Sequence, residues 1–230
     1  MDKQHMDKPV KVLFVSAEAQ PFAAAGGLGE VIGSLPAAVM AVCKGFDIRV
    51  VLPLYEDIDV MYKEQMTHLG DVTMPLSWRS QYCGLYGLCL QGVQYYFIEN
   101  EYYFKRKGLY GFFDDAERYA FFCKSVMHCI DKMEFEPDIV HAHDWHGALI
   151  PVYLKYKFPE RKLKSVLTIH NVEYQGRFDE SMLSDVFDLG KTVRGDVLQW
   201  DEINLLKGGI VCCDALSTVS PSYAQELTQT

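Results

Sequence analysis

A chain of 230 residues with 49% hydrophobic content is long for one average domain, yet within reach of a single large α/β unit with a sizeable core. Its formal net charge of -9 argues against a nucleic-acid backbone or an anionic membrane as partner, because both call for clustered Lys and Arg. Seven scattered cysteines (Cys43, Cys83, Cys89, Cys123, Cys129, Cys212 and Cys213) indicate free thiols and not a disulfide framework or zinc knuckle; with no apolar signal region and no run of roughly 18 apolar residues, a cytoplasmic protein is expected.

Residues 1–9 read as a disordered, solvated tail. An apolar, β-branched run over residues 10–16 predicts the first strand, and Gly26-Gly27-Leu28-Gly29-Glu30-Val31 predicts a glycine-rich loop opening a helix that runs to Val39. Two glycines let the backbone bend sharply and approach a ligand, while the free N–H groups of a helix start favour an anionic one. Glu30 falls in the first turn, and Pro36 predicts a bend or a restart. Residues 47–53 predict a second buried strand, giving a right-handed β-α-β unit.

Between Thr67 and Asn100, pieces separated by Gly70, Gly84, Gly87 and Gly92 predict a small antiparallel β excursion, with residues 85–91 and 94–98 paired as a hairpin. The aromatics Tyr102, Tyr103, Phe104, Tyr110, Phe112 and Phe113 suit a long loop packed on the sheet, with one or two available to stack on a sugar. A helix over residues 114–133 starts with Asp114, Asp115 and Glu117 and turns Phe121, Val126, Cys129 and Ile130 inward. A short strand at 137–141, a helix at 145–157 and strands at 165–169 and 215–219 continue the βα texture of a parallel sheet. Ser220-Pro221 opens a last helix, Ser as cap and Pro as first helical residue.

Two histidine-bearing strand ends carry the chemistry. His141-Ala142-His143-Asp144-Trp145-His146 lies where a strand becomes a helix, and Thr168-Ile169-His170-Asn171-Val172 repeats that arrangement one strand later. In an open α/β sheet both ends face the crevice at the carboxyl edge, together with the Gly26-Gly27 loop. A metal site is not expected, since alternate residues diverge at a strand end and no Cys or carboxylate cluster completes a shell. Asp144 reads either as the cap of the helix beginning at Trp145 or as a catalytic carboxylate. His170-Asn171 reads as a polar pair at a turn or as a hydroxyl-binding pair of the kind carbohydrate pockets need. No Gly-x-Ser-x-Gly elbow is present.

Five stretches in register carry a resemblance. They are residues 12–29 (with Glu18, Pro21-Phe22 and Gly26-Gly27-Leu28-Gly29), His141 to His146, His170-Asn171-Val172-Glu173-Tyr174-Gln175-Gly176, Leu206-Lys207-Gly208-Gly209-Ile210, and Thr218-Val219-Ser220-Pro221-Ser222-Tyr223-Ala224. In this order the chain closely resembles bacterial glycogen synthases and plant starch synthases. The resemblance implies the N-terminal domain of a two-domain GT-B fold over residues 10–230, a Rossmann-like parallel sheet flanked by helices, with the C-terminal nucleotide-binding domain absent. It implies transfer of glucose from ADP-glucose or UDP-glucose to the non-reducing end of an α-1,4-glucan with retention, without metal or cofactor, this chain being the acceptor-side half and inactive alone.

Carried over by position, Asp144 and His170 match catalytic residues. Gly26, Gly27, Glu30 and Tyr110 match the donor and phosphate side, and His143, Trp145, Asn171 and Tyr174 the substrate side. A retaining transfer needs negative charge near the sugar and positive potential on the leaving phosphate, which a carboxylate and a helix N-terminus supply. Two positions depart from the family's pattern: Ala24 stands where Lys is common before the glycines, and Glu30 where Asp is usual. The missing cation is worth roughly 1.5–3 kcal/mol if it meets an anion. Two other readings are a pure glucan- or nucleotide-binding module and a dinucleotide-dependent oxidoreductase. For the latter, Gly27, Gly29, Gly33 and Asp47 mimic a fingerprint, but the glycines come about ten residues after the strand instead of in its tight turn. An apolar face left by the absent domain predicts weak self-association.

Overall fold

A computed structural model describes residues 8–229, so most of the tail expected over residues 1–9 lies outside the described residues. Strand β1 (Val10–Val15), buried along its last four residues, leads through α1 (Gly27–Val42) to β2 (Phe46–Pro53). The two strands pair in parallel from Val10↔Phe46 to Val15↔Val51. α2 (Val60–Lys63) precedes β3 (Thr67–Leu76), β4 (Arg79–Leu90) and β5 (Val93–Glu99). These three strands are the antiparallel excursion, and it stays joined to the main sheet because β5 runs parallel to β2. The expected hairpin is the end of the β4–β5 pair. It turns at Gln91 and Gly92, whose φ values of 50° and 81° suit a two-residue turn matched to strand twist.

Next come α3 (Glu101–Phe104), α4 (Asp115–Cys129), β6 (Ile139–His143), α5 (Asp144–Gly147), α6 (Leu149–Tyr156) and β7 (Lys164–Ile169). A separate three-stranded antiparallel sheet then forms from β8 (Arg177–Asp179), β9 (Leu198–Gln199) and β10 (Glu202–Asn204). Between and after its strands lie α7 (Met182–Asp185), α8 (Arg194–Val197) and α9 (Leu205–Cys212). Strands of two or three residues carry no periodicity, so nothing in the sequence announced this unit. β11 (Ala215–Thr218) and α10 (Pro221–Thr228) follow, and the Ser220 hydroxyl accepts from Tyr223 N–H as the expected cap.

The main sheet has eight strands in the order β11-β7-β6-β1-β2-β5-β4-β3, parallel from β11 to β5. From β1 the chain steps first to β2 on one side and later to β6 on the other, so strand order reverses between β1 and β6. There the loops leaving the carboxyl ends part in opposite directions and open a crevice. The candidate site gathers at that point.

Two expectations are corrected. α1 passes through Pro36 without a restart: the ring removes one bond, to the Ile32 carbonyl, and burial of Ile32 and Pro36 holds the turn in place. The single helix expected over residues 145–157 is two helices meeting at Ala148, because Pro151 has no N–H for the Gly147 carbonyl one turn earlier. α4 is buried nearly all round although it carries Arg118 and Lys124. Arg118 donates to the Tyr103 and Leu109 carbonyls and the Asp115 carboxylate, and Lys124 to Asp188. Such burial is tolerated because each charge is paired.

α1 lies very close to the segment after β1. Gln20 N–H donates to the Gly29 carbonyl at 2.9 Å, and a Cβ at Gly33 would sit 2.6 Å from the Gln20 carbonyl oxygen. That neighbour is backbone and cannot swing aside. Gly33→Ala is expected to lower stability by about 1–2 kcal/mol even after the helix-propensity gain of alanine. Thermal unfolding should show the loss, with Gly45→Ala, which meets nothing within 4 Å, unchanged. Equal midpoints for the two variants would refute close approach as the reason for Gly33.

Candidate functional site

One wall of the crevice is built on Glu18, two residues beyond Ser16 at the end of β1 and only 4% exposed. Its Oε2 accepts Ala25 N–H at 2.7 Å and Gly26 N–H at 3.2 Å, and its Oε1 accepts the Tyr110 hydroxyl at 2.6 Å. A buried carboxylate therefore pins the glycine loop. Neither Gly26 nor Gly27 has a positive φ, which corrects the expectation of a sharp bend: Gly26 is extended at φ -166° and Gly27 begins α1. A Cβ at either would meet nothing within 4 Å. Glycine here leaves open space over the start of α1, where the N–H groups of Gly27 and Leu28 have no acceptor among the described residues. That is the geometry of an anion cradle on a helix of 16 residues.

The opposite wall is Asp144. The structure corrects the capping reading: the helix begins at Asp144 itself, and its carboxylate serves a different strand. Oδ1 accepts His170 N–H at 2.7 Å and Asn171 N–H at 3.3 Å, tying the end of β6 to the end of β7. Oδ2 takes no hydrogen bond from the described residues. The backbone is held at φ 53°, a region L-residues avoid at a cost on the order of 1 kcal/mol and that clusters at functional sites. Burial, 7% exposed, lifts the carboxyl to about 6, and the two N–H donors oppose that rise.

Beneath this carboxylate lies a floor of histidines. His141 and His143 stack with centroids 4.3 Å apart. His141 Nε2 pairs with Thr168 Oγ1 at 2.6 Å, which pairs in turn with Ser217 Oγ at 2.7 Å. His143 Nδ1 meets His170 Nε2 at 3.1 Å. Burial keeps all of them neutral: His141 and His170 are pushed down to about 4, His146 to about 3, and His143 well below its ordinary value. Neutral imidazoles offer one donor and one acceptor each and no charge, a lining suited to hydroxyl groups.

The structure thus brings Gly26, Gly27, Tyr110, His143, Asp144, His170 and Asn171 together at one edge. Tyr110 reaches it through Glu18 and by stacking on His146 at 4.5 Å. Glu30 is exposed on the first turn of α1, and its side chain bonds to nothing among the described residues. Trp145 is buried under the loop after β7, where a Cβ at Gly176 would strike its ring at 2.6 Å, so packing fixes its place. Asn171 accepts Glu173 N–H in a local turn, and Tyr174 is 65% exposed. Glu18 is the member that sequence reasoning passed over; a lone acid just past a buried strand and ahead of a glycine loop was its only signal. Among the described residues, no group of three His, Cys, Asp or Glu side chains is placed to hold a metal ion. A cavity of about 300 Å³ lined by Lys155, Lys162, Ser165 and Cys213 lies by the start of β7, away from the carboxyl edge.

Fold and site define an α/β lobe whose ligand crevice sits at a strand-order switch, floored by neutral histidines and flanked by a helix N-terminus. The chain belongs to the starch synthase catalytic domain family, whose profile matches residues 11–230. It is 45% identical over 224 residues to a glycogen synthase of Desulforamulus reducens and 44% identical to one of Lactobacillus acidophilus. These matches cover 95% of this chain and 46% and 47% of those proteins. The solved catalytic domain of starch synthase IV from Arabidopsis thaliana, bound to ADP and acarbose, superposes with a TM-score of 0.83 at 29% identity, covering 96% of this chain and 47% of that one. The chain spans about half the length of these relatives. Among the described residues no helix is long and apolar enough to cross a membrane.

The depressed histidines make stability depend on acid. Below pH 6.5 the unfolded chain takes up protons that the folded His141, His170, His146 and His143 refuse, so stability falls as pH drops from about 6.5 toward 4. Asp144 acts with the opposite sign between about 6 and 3.8, and one group does not offset four. The thermal midpoint should fall steadily from pH 7 to pH 5. His141→Gln, whose amide still reaches Thr168, should flatten the slope; a midpoint that rises on acidification would sink this account.

Proposed function

We propose that this chain forms the acceptor-side lobe of a cytoplasmic retaining glucosyltransferase of the glycogen synthase kind, moving glucose from ADP-glucose or UDP-glucose to the non-reducing end of an α-1,4-glucan. The observation that carries the reading is Asp144: a buried carboxylate on strained backbone, with one oxygen spent on two amides at the end of β7 and the other left for a ligand. In this reading the bare amides above Gly26 and Gly27 face the donor diphosphate, with Glu30 and Tyr110 at its margin. Asp144 lies beside the transferred sugar and stabilises the positive charge that develops there. His170 binds a donor hydroxyl, and His143, Trp145, Asn171 and Tyr174 shape the substrate side. A second lobe, consistent with relatives about twice as long, closes over the crevice and supplies the basic groups that this wall lacks.

A nuclear magnetic resonance titration with a malto-oligosaccharide, then ADP-glucose, then NAD tests it. Shifts should cluster at Gly26, Gly27, Asp144 and His170 for the first two ligands. Asp144→Asn should weaken the response about ten- to a hundredfold, the worth of one charge-assisted contact of roughly 1.5–3 kcal/mol. Shifts with NAD and none with glucan or ADP-glucose would restore the dinucleotide reading and discard this one.

Ala24 gives a test of gain. It is exposed beside the cradle, so a longer side chain has room. Ala24→Lys should tighten ADP-glucose binding about tenfold at low salt, and less at high salt. Calorimetry at two ionic strengths measures it, and an unchanged affinity at both would remove residue 24 from the donor side.

A further inference from the structure

We propose that His143 is a positioning residue that fixes the tautomer of His170, so that His170 presents Nδ1–H, and not a lone pair, to the crevice. One contact fixes where the ring protons sit. His143 Nδ1 and His170 Nε2 lie 3.1 Å apart, so one of these two nitrogens donates and the other accepts. His143 Nε2 is fully buried and has no partner among the described residues. The ring is enclosed by Phe14 at 4.9 Å and by the stacked His141 at 4.3 Å.

A neutral imidazole carries one proton. If that of His143 sat on Nε2, a buried N–H would be orphaned, the rarer and costlier of the two omissions. A doubly protonated His143 would bury a charge with no carboxylate in contact. The proton therefore sits on His143 Nδ1 and is donated to His170 Nε2. His170 Nε2 is then the acceptor, and the one proton of its ring is left on Nδ1.

That nitrogen has no partner among the described residues, and His170 is partly open to solvent. Its backbone N–H is held by Asp144. The ring is thus locked at both ends, by a carboxylate on its main chain and by an imidazole on its far nitrogen. A solvent-exposed histidine prefers the Nε2–H form, so the arrangement inverts the default. A group that must donate to a ligand oxygen next to a carboxylate is supplied with its proton in advance, with no charge added to the crevice. The tautomer stands on geometry alone; its effect on ligand affinity rests on the proposed function.

Long-range nitrogen–proton spectra of the uniformly ¹⁵N-labelled chain at pH 7.5 read ring tautomers directly. The expected result is a protonated Nδ1 and a bare Nε2 for both His143 and His170. An Nε2-protonated His170 in the wild-type chain overturns the proposal without any variant. His143→Asn, whose amide N–H occupies the place of Nδ1–H, should keep His170 in the Nδ1–H form. His143→Phe should release it to Nε2–H, and should bind ADP-glucose about three- to tenfold more weakly than His143→Asn does. If the spectra agree and affinity is the same in all three proteins, the tautomer survives and the assignment of His170 to a donor hydroxyl falls. If His170 keeps Nδ1–H in His143→Phe, the control attributed to His143 is refuted.

Discussion

A single oxygen atom, Oδ1 of Asp144, holds the site together. It takes the N–H groups of His170 and Asn171, and thereby joins the ends of two neighbouring parallel strands that the sheet ladder no longer pairs. Removing it would orphan two amides and leave the positive φ of Asp144 without compensation. Strain and burial of this kind persist only where surrounding bonds over-determine them. The strand-order reversal between β1 and β6 opens the crevice, and this bond decides its shape.

Electrostatically the crevice is simple. Four imidazoles are kept neutral by burial, so the floor adds no charge; His143 and His146 are sealed beneath it, and the part-exposed His141 and His170 are the two that can meet a ligand. Its negative groups, Glu18 and Asp144, are both buried and both occupied in part by backbone N–H donors. Positive potential on this wall comes from backbone, at the start of α1, and the alanine at position 24 leaves it to act without a side-chain cation. A lobe built this way can orient a sugar and a phosphate but relies on a facing surface for neutralising charge.

Much of this was legible beforehand. The parallel βα texture, the two histidine-bearing strand ends and the glycine loop are local patterns, and each fell where its pattern placed it. What escaped needed the third dimension. Asp144 read as a helix cap or as a catalytic carboxylate, and only the pairing of β6 with β7 shows that it serves the next strand. The glycines looked like a bend, whereas open space is what distinguishes Gly26 and Gly27 from Gly29 and Gly33, which are forced by packing. Glu18 was invisible because its three partners lie 7, 8 and 92 residues away. The burial of Arg118 and Lys124 in α4 also depends on distant partners, the Tyr103 and Leu109 carbonyls before the helix and Asp188 well after it.

The shared bonding of Glu18 has a further consequence. One oxygen holds the hydroxyl of Tyr110, on a loop anchored by Gly108 N–H to Asp57 and Gly111 N–H to Asp115; the other holds the amides that lead into α1. The two loops are therefore coupled through one rigid side chain. A ligand that shifted the glycine loop would act on the tyrosine loop through this carboxylate, and whatever coupling the bond carries is reciprocal.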